Sequence, residues 1–226
     1  MEVKRYSTKQ KAREAAAQKL NQLLDAYSHV PMLFLSSGGS SLELLDGLEI
    51  GENVAVSVLD GRYSTDPQVN NFSQLLNFVT ASKIIDTRVQ EGESLEALAK
   101  RFERGLRDWK DKHPTGKIII TQGMGPDGHT SGIMPYPEDP QLFEALFNNT
   151  EHWVAGYDAK EKNEYPLRVT TTMTFLRIVD YSVAYITGEK KTAAFERVLA
   201  ESGSLAETPA RIMREMKDIQ VFTDIV

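Results

Sequence analysis

The sequence contains no cysteine, and this absence excludes several kinds of chemistry at once. Disulfide bonds, thiolate metal sites and cysteine nucleophiles all require a thiol. The sequence also lacks a long hydrophobic run. The longest one, from Val30 to Leu35, includes Pro31 and is far too short to span a bilayer.

The first residues carry no apolar segment of the kind found in secretory signals, so we expect a cytoplasmic protein without a membrane partner. A net charge of −6 and an isoelectric point near 5.3 argue against a nucleic-acid partner, because such partners bind basic surfaces. One basic cluster runs against this trend, and we predict that it is a solvated helix face; it comprises Lys4, Arg5, Lys9, Lys11 and Arg13.

Short apolar segments alternate with segments of helical periodicity along all 226 residues. The predicted strands are 32–35, 54–59, 83–85, 118–120, 153–157, 168–174, 179–187 and 219–222. The predicted helices are 8–27, a short one near 42–45, 72–79, 95–109, 140–147, 193–199 and 209–216. This alternation predicts βαβ units and a largely parallel sheet with helices on both faces, in one α/β domain that covers residues 1–226. Ser7 is available as the N-cap of the first helix.

Three predicted strands end in unusual loops, and the carboxyl ends of strands are where open α/β sheets bind ligands. The first loop contains Gly38, Gly39, Ser40 and Ser41. Glycines allow close approach of an anion, and serine hydroxyls add donors to phosphate oxygens. An ordinary turn with serine as N-cap explains the same residues equally well.

The second loop runs from Gly123 to Thr130 and contains the pattern G-x-G-x-x-G after a strand. A dinucleotide site would require a long amphipathic helix next, and Thr130 is instead followed by a segment rich in glycine and proline. Asp127 and His129 favour another hypothesis, in which a carboxylate orients an imidazole that acts as a general base. A turn histidine bonded to a local carbonyl remains the alternative.

The third loop, Asp60-Gly61-Arg62, places an arginine where it could stabilise an anion or an oxyanion, with Asp60 orienting it. An exposed turn with a charge pair is the simpler interpretation. Arg168 and the segment that ends at Lys191 offer further anion-binding groups. We find no sequence motif for a metal site, an NTPase or a serine hydrolase, so we predict no metal and no organic cofactor.

Taken in order, these segments resemble the 6-phosphogluconolactonase and glucosamine-6-phosphate deaminase superfamily. The segment from Gly123 to Pro135 is similar to the lactonase pattern G-x-G-x-D-G-H-T-A-S-L-F-P. Weaker similarities follow the same order along the chain: Ser37-Gly38-Gly39-Ser40 to S-G-G-S/T, Asn70-Asn71-Phe72 to S-N-Y/F, Arg168 to Thr172 to R-I-T-L-T, and Gly188 to Lys191 to G-x-x-K. One motif differs from the family pattern. Lactonases usually have Asp-Glu-Arg where this chain has Asp60-Gly61-Arg62.

The resemblance implies a three-layer α/β/α fold with a Rossmann-like central sheet and a sugar phosphate as the small-molecule partner. It further implies that the Gly38–Ser41 loop, Arg168 and Lys191 hold the phosphate. His129, supported by Asp127, would activate water, and Arg62 would steady ring oxygens or the oxyanion.

The implied reaction is hydrolysis of 6-phospho-D-glucono-1,5-lactone to 6-phosphogluconate in the oxidative pentose phosphate pathway. Two alternatives remain open. One is an amino-sugar-phosphate deaminase or isomerase. The other is a catalytically altered, sugar-phosphate-binding member of the family, suggested by Gly61.

Overall fold

The computed structural model describes residues 1–226 and contains ten strands. They are β1 (Glu2–Arg5), β2 (Met32–Ser36), β3 (Val54–Val58), β4 (Asp60–Arg62), β5 (Lys83–Ile84), β6 (Lys117–Gln122), β7 (Val154–Asp158), β8 (Leu167–Thr171), β9 (Tyr181–Ile186) and β10 (Ile219–Thr223). Seven strands form one parallel sheet in the order β1-β10-β9-β6-β2-β3-β5. The chain builds outward from β2 in one direction and then crosses back to β6, so the switch point lies between β2 and β6.

Six α-helices accompany these strands: α1 (Lys9–Ala26), α2 (Asn71–Leu75), α3 (Leu95–Lys112), α4 (Pro140–Phe143), α5 (Met173–Ile178) and α6 (Thr192–Leu199). Short 3₁₀ helices cover Gly39–Leu45, Lys160–Lys162, Glu189–Lys191 and Pro209–Arg214, and a π-helix covers Glu144–Asn148. None of the helices combines the length and the apolar character that crossing a bilayer requires.

Alternate residues of the central strands pack into two different cores, one on each face of the sheet. In β2, Met32 and Phe34 join a cluster with α1 and α2, whereas Leu33 and Leu35 join a larger cluster with α3, α5 and α6. Side chains of a strand point alternately to its two faces, so a strand buried on both faces is apolar throughout. The predicted three-layer α/β/α fold with a largely parallel central sheet is therefore confirmed.

A second, antiparallel sheet of three strands, β4-β8-β7, was not predicted. Asp60-Gly61-Arg62 was expected to be a loop, and it forms strand β4 instead, because β8 supplies hydrogen-bonding partners from a distant part of the chain. The extended segment predicted for 168–174 ends at Thr171. The hydroxyl of Thr172 accepts a hydrogen bond from the backbone N–H of Phe175 and caps α5, a helix that the sequence did not predict.

The N-terminal segment also differs from its prediction. Lys4 and Arg5 lie in β1, not on a helix face, because residues 2–5 pair with β10 at the edge of the sheet. Helix α1 begins at Lys9, and its N-cap is Thr8 in place of Ser7. The hydroxyl oxygen of Thr8 accepts a hydrogen bond from the backbone N–H of Lys11 at 3.2 Å.

Candidate active site

One cavity of about 260 Å³ opens at the carboxyl ends of β2, β3, β6 and β9, next to the switch point of the sheet. Its position is the one that open α/β sheets favour for ligands. All but one of the lining residues are polar, charged or glycine; they are Ser37, Gly38, Gly39, Ser40, Asp60, Arg62, Asn71, Gly123, Met124, Gly125, His129, Ser131, Gly132, Arg168 and Lys191.

Most of the site residues selected from the sequence meet in this cavity. Those in its wall are Gly38, Gly39, Ser40, Asp60, Arg62, His129, Arg168 and Lys191. Asp127 stands outside the wall and reaches the cavity only through His129. Ser41 is fully buried and does not line the cavity, because it lies within the 3₁₀ helix Gly39–Leu45 that packs on the core. Its hydroxyl has no hydrogen-bond partner.

The loop after β6 holds His129 by contacts within itself. The N–H of Gly125 donates to the carbonyl of His129 at 2.9 Å, and the hydroxyl of Thr130 donates to the carbonyl of Gly123 at 2.7 Å. The guanidinium of Arg197, from α6, donates to the carbonyl of Asp127 at 3.0 Å. These bonds tie the loop to itself and to a neighbouring helix, so the histidine is positioned before any ligand arrives.

His129 and Asp127 form a hydrogen-bonded pair, with 2.7 Å between the imidazole Nδ1 and the carboxylate Oδ1. Burial would raise the pKa of Asp127, but hydrogen bonds and charge attraction from His129 outweigh it and hold that pKa below its usual range. An ionised carboxylate at Nδ1 favours the tautomer with the proton on Nδ1. The Nε2 lone pair is then the one available to accept a proton.

Glycine is required beside this pair. A Cβ on Gly125 would overlap the ring of His129 and come within 2.6 Å of the Asp127 carboxylate. Gly132 has a φ of +72°, and a Cβ there would lie 2.6 Å from the Asp60 carboxylate. Both glycines thus allow the backbone to lie against a charged side chain of the site.

Ser131 is a lining residue that the sequence did not identify. Its φ is +49°, a left-handed conformation that is rare for a residue other than glycine. The N–H groups of Ser131 and Gly132 donate to no acceptor in the chain. Unused donors in the cavity wall are the groups that an oxyanion hole requires.

The small antiparallel sheet brings two arginines together. Arg62 of β4 and Arg168 of β8 are direct partners in the register, so their side chains leave neighbouring positions on one face. Each keeps a buried Nε–H group without an acceptor. Like charges at opposed positions repel each other, and an anion bound between them would relieve both the repulsion and the missing acceptors.

Asp60 pairs with Arg168 and not with Arg62, which corrects the expected orienting role. Its carboxylate lies 2.6 Å from an Nη of Arg168, and both side chains are buried. The amide of Asn71 donates to the carbonyl of Asp60 at 3.0 Å and contacts its carboxylate at 3.4 Å. Asn71 also lines the cavity. A Cβ added to Gly38 would lie 2.9 Å from the side-chain nitrogen of Asn71.

The cavity wall carries a formal charge of +2 when His129 is neutral, with three cationic side chains against the single carboxylate of Asp60. The protein as a whole carries −6, so this charge is local. Burial is the main cause that lowers the pKa of Lys191, and the nearby charge of Lys9 lowers it further. A phosphate monoester near neutral pH carries about −1.5 to −2, which matches the excess positive charge.

Gly61, where the resembling lactonases have glutamate, faces away from the cavity. Residues of a strand alternate between faces, and Asp60 and Arg62 both face the cavity. A Cβ at Gly61 would contact the side chains of Val169 and Thr87, at 3.5 and 3.9 Å, with ordinary van der Waals spacing. The absent glutamate therefore removes no group from the cavity wall. No cluster of three or more His, Asp and Glu side chains has the arrangement of a metal site.

The chain is similar to a protein family and to individual proteins of known function. Residues 5–222 match the family described as glucosamine-6-phosphate isomerases/6-phosphogluconolactonase. A 6-phosphogluconolactonase of Mesorhizobium japonicum is 27% identical over 175 residues, which are 74% of this chain and 66% of that protein. The human 6-phosphogluconolactonase is 32% identical over 109 residues, 48% of this chain and 38% of that protein. The aligned chain thus spans less than two thirds of the length of these two relatives.

The fold has solved counterparts as well. The crystal structure of 6-phosphogluconolactonase from Thermotoga maritima superposes with a TM-score of 0.73 at 20% identity, covering 98% of this chain and 97% of that one. The enzyme from Trypanosoma brucei gives a TM-score of 0.74 at 17% identity, with coverage of 98% and 95%. At such identities the likeness concerns the fold. Since the family match extends over nearly the whole sequence, the chain belongs to the glucosamine-6-phosphate isomerase/6-phosphogluconolactonase family.

Proposed function

We propose that this protein hydrolyses 6-phospho-D-glucono-1,5-lactone to 6-phosphogluconate, in the oxidative pentose phosphate pathway and in the cytoplasm. The observation that carries the proposal is one polar cavity that combines an oriented histidine with a local charge of +2. The names of the two relatives and the family match support the same reaction.

The phosphate end of the substrate binds the cationic part of the cavity. Arg168, Lys191 and the Gly38–Ser40 loop supply charge and donors to its oxygens. Arg62, the register partner of Arg168, adds to the positive charge around the phosphate and faces the sugar oxygens. The unused N–H groups of Ser131 and Gly132 face the developing oxyanion. The hydroxyl of Ser41 is excluded from this set by its burial.

His129 acts as the general base. Its Nε2 takes a proton from water while the water oxygen attacks the lactone carbonyl, and Asp127 stabilises the imidazolium that forms. The tetrahedral intermediate then collapses, the bond between the carbonyl carbon and the ring oxygen breaks, and the imidazolium returns its proton to that oxygen. The products are the open-chain hydroxyl and the carboxylic acid, which ionises.

Deamination or isomerisation of an amino-sugar phosphate is the less favoured alternative. Moving a proton between carbons requires a further acid or base beside the loop histidine. The position five residues after His129 is occupied by Met134, which is buried and cannot transfer a proton. The only carboxylate in the cavity wall, Asp60, is engaged by Arg168.

The test uses freshly prepared lactone and follows proton release at constant pH, with spontaneous hydrolysis subtracted. We expect wild-type protein to accelerate ring opening well above the spontaneous rate, and to release no ammonia from glucosamine-6-phosphate. Phosphate-free gluconolactone, at the same concentration, serves as a matched substrate without the charged group. Unaccelerated lactone opening would contradict the proposal, and ammonia release at enzymatic rates would transfer the assignment to the deaminase alternative.

A further inference from the structure

The loop that joins β7 to β8, residues 159–166, stands outside the cavity wall but contacts both of its arginines. Two of its residues make these contacts, Asn163 and Tyr165, and the proposed reaction assigns no role to either. Both are half-buried, and neither lines the cavity.

Tyr165 lies against Arg62. The centre of the guanidinium stands 4.7 Å from the centroid of the tyrosine ring, within the range of a cation–π interaction. The other contacts of Arg62 are weak: its Nη1 donates to the carbonyl of Val69 at 3.4 Å, and its buried Nε has no acceptor. The ring is therefore the principal group that fixes the position of this guanidinium. The aromatic face of Tyr165 makes this contact, and the backbone N–H of the same residue donates to Asn163.

Asn163 connects the loop to the second arginine. Its side-chain oxygen accepts a hydrogen bond from Nη1 of Arg168 at 3.3 Å and one from the backbone N–H of Tyr165 at 3.0 Å. One amide oxygen thus links Arg168 to the residue that holds Arg62. The other Nη of Arg168 is taken by Asp60.

The two arginines require such support because they occupy opposed positions of β4 and β8, while the one carboxylate beside them, that of Asp60, pairs with Arg168 alone. Repulsion between like charges at opposed positions favours rotation of one side chain into solvent. Arg168 is held by the buried ion pair, so Arg62 is the one free to leave. A guanidinium that samples many rotamers in the free protein loses conformational entropy when it binds an anion, so it binds the anion more weakly.

We propose that Asn163 and Tyr165 are positioning residues that hold the two arginines in place and thereby set the affinity of the cavity for a phosphorylated ligand. The proposal deepens the assignment of the cavity as a sugar-phosphate site and rests on it. Neither residue touches the reacting atoms. Their effect appears in ligand affinity, because a preorganised cation binds the ground state and the transition state alike.

The first test measures binding of inorganic phosphate by calorimetry, together with KM and kcat for the lactone. In Tyr165→Leu, which keeps apolar bulk and removes the aromatic face, we expect phosphate affinity and KM to worsen about tenfold while kcat changes about twofold or less. Tyr165→Phe should keep the wild-type affinity, since the contact with Arg62 is made by the aromatic ring, which phenylalanine retains. The matched control is Trp153→Leu, which removes a similar aromatic contact to Arg107, at 4.5 Å, outside the cavity wall.

A double-mutant cycle separates positioning from general loss of structure. In an Arg62→Ala background, Tyr165→Leu should have almost no further effect on phosphate affinity, because its target is gone. Asn163→Ala should weaken affinity about threefold, and the Nε–Hε NMR signals of both arginines should shift in that variant. An undiminished Tyr165→Leu effect in the Arg62→Ala background would overturn the proposal, as would phosphate affinity unchanged by Tyr165→Leu.

The outcomes also distinguish this proposal from the assigned reaction. Wild-type protein that binds phosphate, loses affinity in Tyr165→Leu and opens no lactone would remove the lactonase assignment and leave the positioning role standing. Lactone hydrolysis that is insensitive to Tyr165→Leu would support the lactonase assignment and remove the positioning role.

Discussion

The two sheets of this protein contribute differently to one cavity. Loops at the ends of the seven-stranded parallel sheet supply His129, the glycines beside it and Lys191, whereas the three-stranded antiparallel sheet supplies Asp60, Arg62 and Arg168. The first contribution depends on shape, because Gly125 is needed only for its missing Cβ. The second depends on charge balance among buried groups. Substitutions in the antiparallel sheet should therefore chiefly lower stability, whereas those in the loops of the parallel sheet should chiefly lower turnover.

The largest effect is expected on the antiparallel side. Arg168→Ala leaves the buried carboxylate of Asp60 without its partner, and we expect a loss of about 3–5 kcal/mol in the free energy of unfolding. Urea denaturation of the purified variant measures it. The double variant Asp60→Asn/Arg168→Met should recover much of this loss, because it removes both charges. Equal destabilisation of the single and double variants would show that packing, not charge, determines the stability here.

On the parallel side, the largest effect should be in turnover and not in stability. His129→Asn removes the proton acceptor, and we expect kcat to fall on the order of a hundredfold or more with an unchanged denaturation midpoint. His129 is half-exposed and makes its one side-chain hydrogen bond with Asp127, so little structure depends on its ring. Near-full turnover in this variant, with intact phosphate binding, would show that another group activates water.

Gly125→Ala tests the shape requirement directly. The added methyl group would overlap the His129 ring, so the ring must turn away from Asp127, and we expect kcat to fall about tenfold. Gly61→Ala is the matched control. Its methyl group meets Val169 and Thr87 at ordinary distances on the face of β4 away from the cavity, so kcat and KM should change by less than about twofold. A larger loss in Gly61→Ala than in Gly125→Ala would reverse this interpretation of the two glycines.

The smallest effect should come from pH, through Lys191. Burial lowers its pKa, so this lysine loses its charge at a lower pH than an ordinary lysine with a pKa near 10.5. Phosphate affinity should therefore decline with rising pH on the alkaline side, below that value, and calorimetry across this range measures it. In Lys191→Arg the decline should disappear, because guanidinium stays protonated. Because the pKa of Lys191 is lower in the folded state than in the unfolded state, the unfolded state binds more protons between the two pKa values. The contribution of Lys191 to the free energy of unfolding therefore rises as pH rises through the folded pKa.

The sequence predicted the central strands of the parallel sheet well because they are buried on both faces and so are apolar without interruption, as in Met32 to Leu35. The edge strand β1 is largely exposed and was not predicted. It also predicted His129 and Asp127, whose pairing is local and spans two positions. It could not predict the pairing of Asp60 with Arg168, which joins strands 108 positions apart, one of them only three residues long. A three-residue strand has too few positions to show alternation.

Asn71 and Ser131 are among the lining residues that were not predicted as site residues, and they escaped for other reasons. Asn71 follows Asn70, whose side chain caps α2, and a polar residue at the start of a helix suggests capping before it suggests a site. Ser131 is set apart by its backbone conformation, which a sequence does not display. The placement of the phosphate group among Gly38, Gly39, Ser40, Arg168 and Lys191 stays a prediction.

The pairing of β1 with β10 has a consequence for synthesis. Lys4 and Gln220, which share a side-chain hydrogen bond, are 216 positions apart, so β1 emerges from the ribosome long before its partner is translated. Until then the outer edge of β9 is open as well, and β9 is the strand that leads into Lys191. Contacts between such distant segments form slowly, because closing a long loop has a high entropic cost. A nascent chain that stops before residue 219 therefore exposes an unpaired strand edge, and we expect such fragments to be substrates for chaperones and proteases.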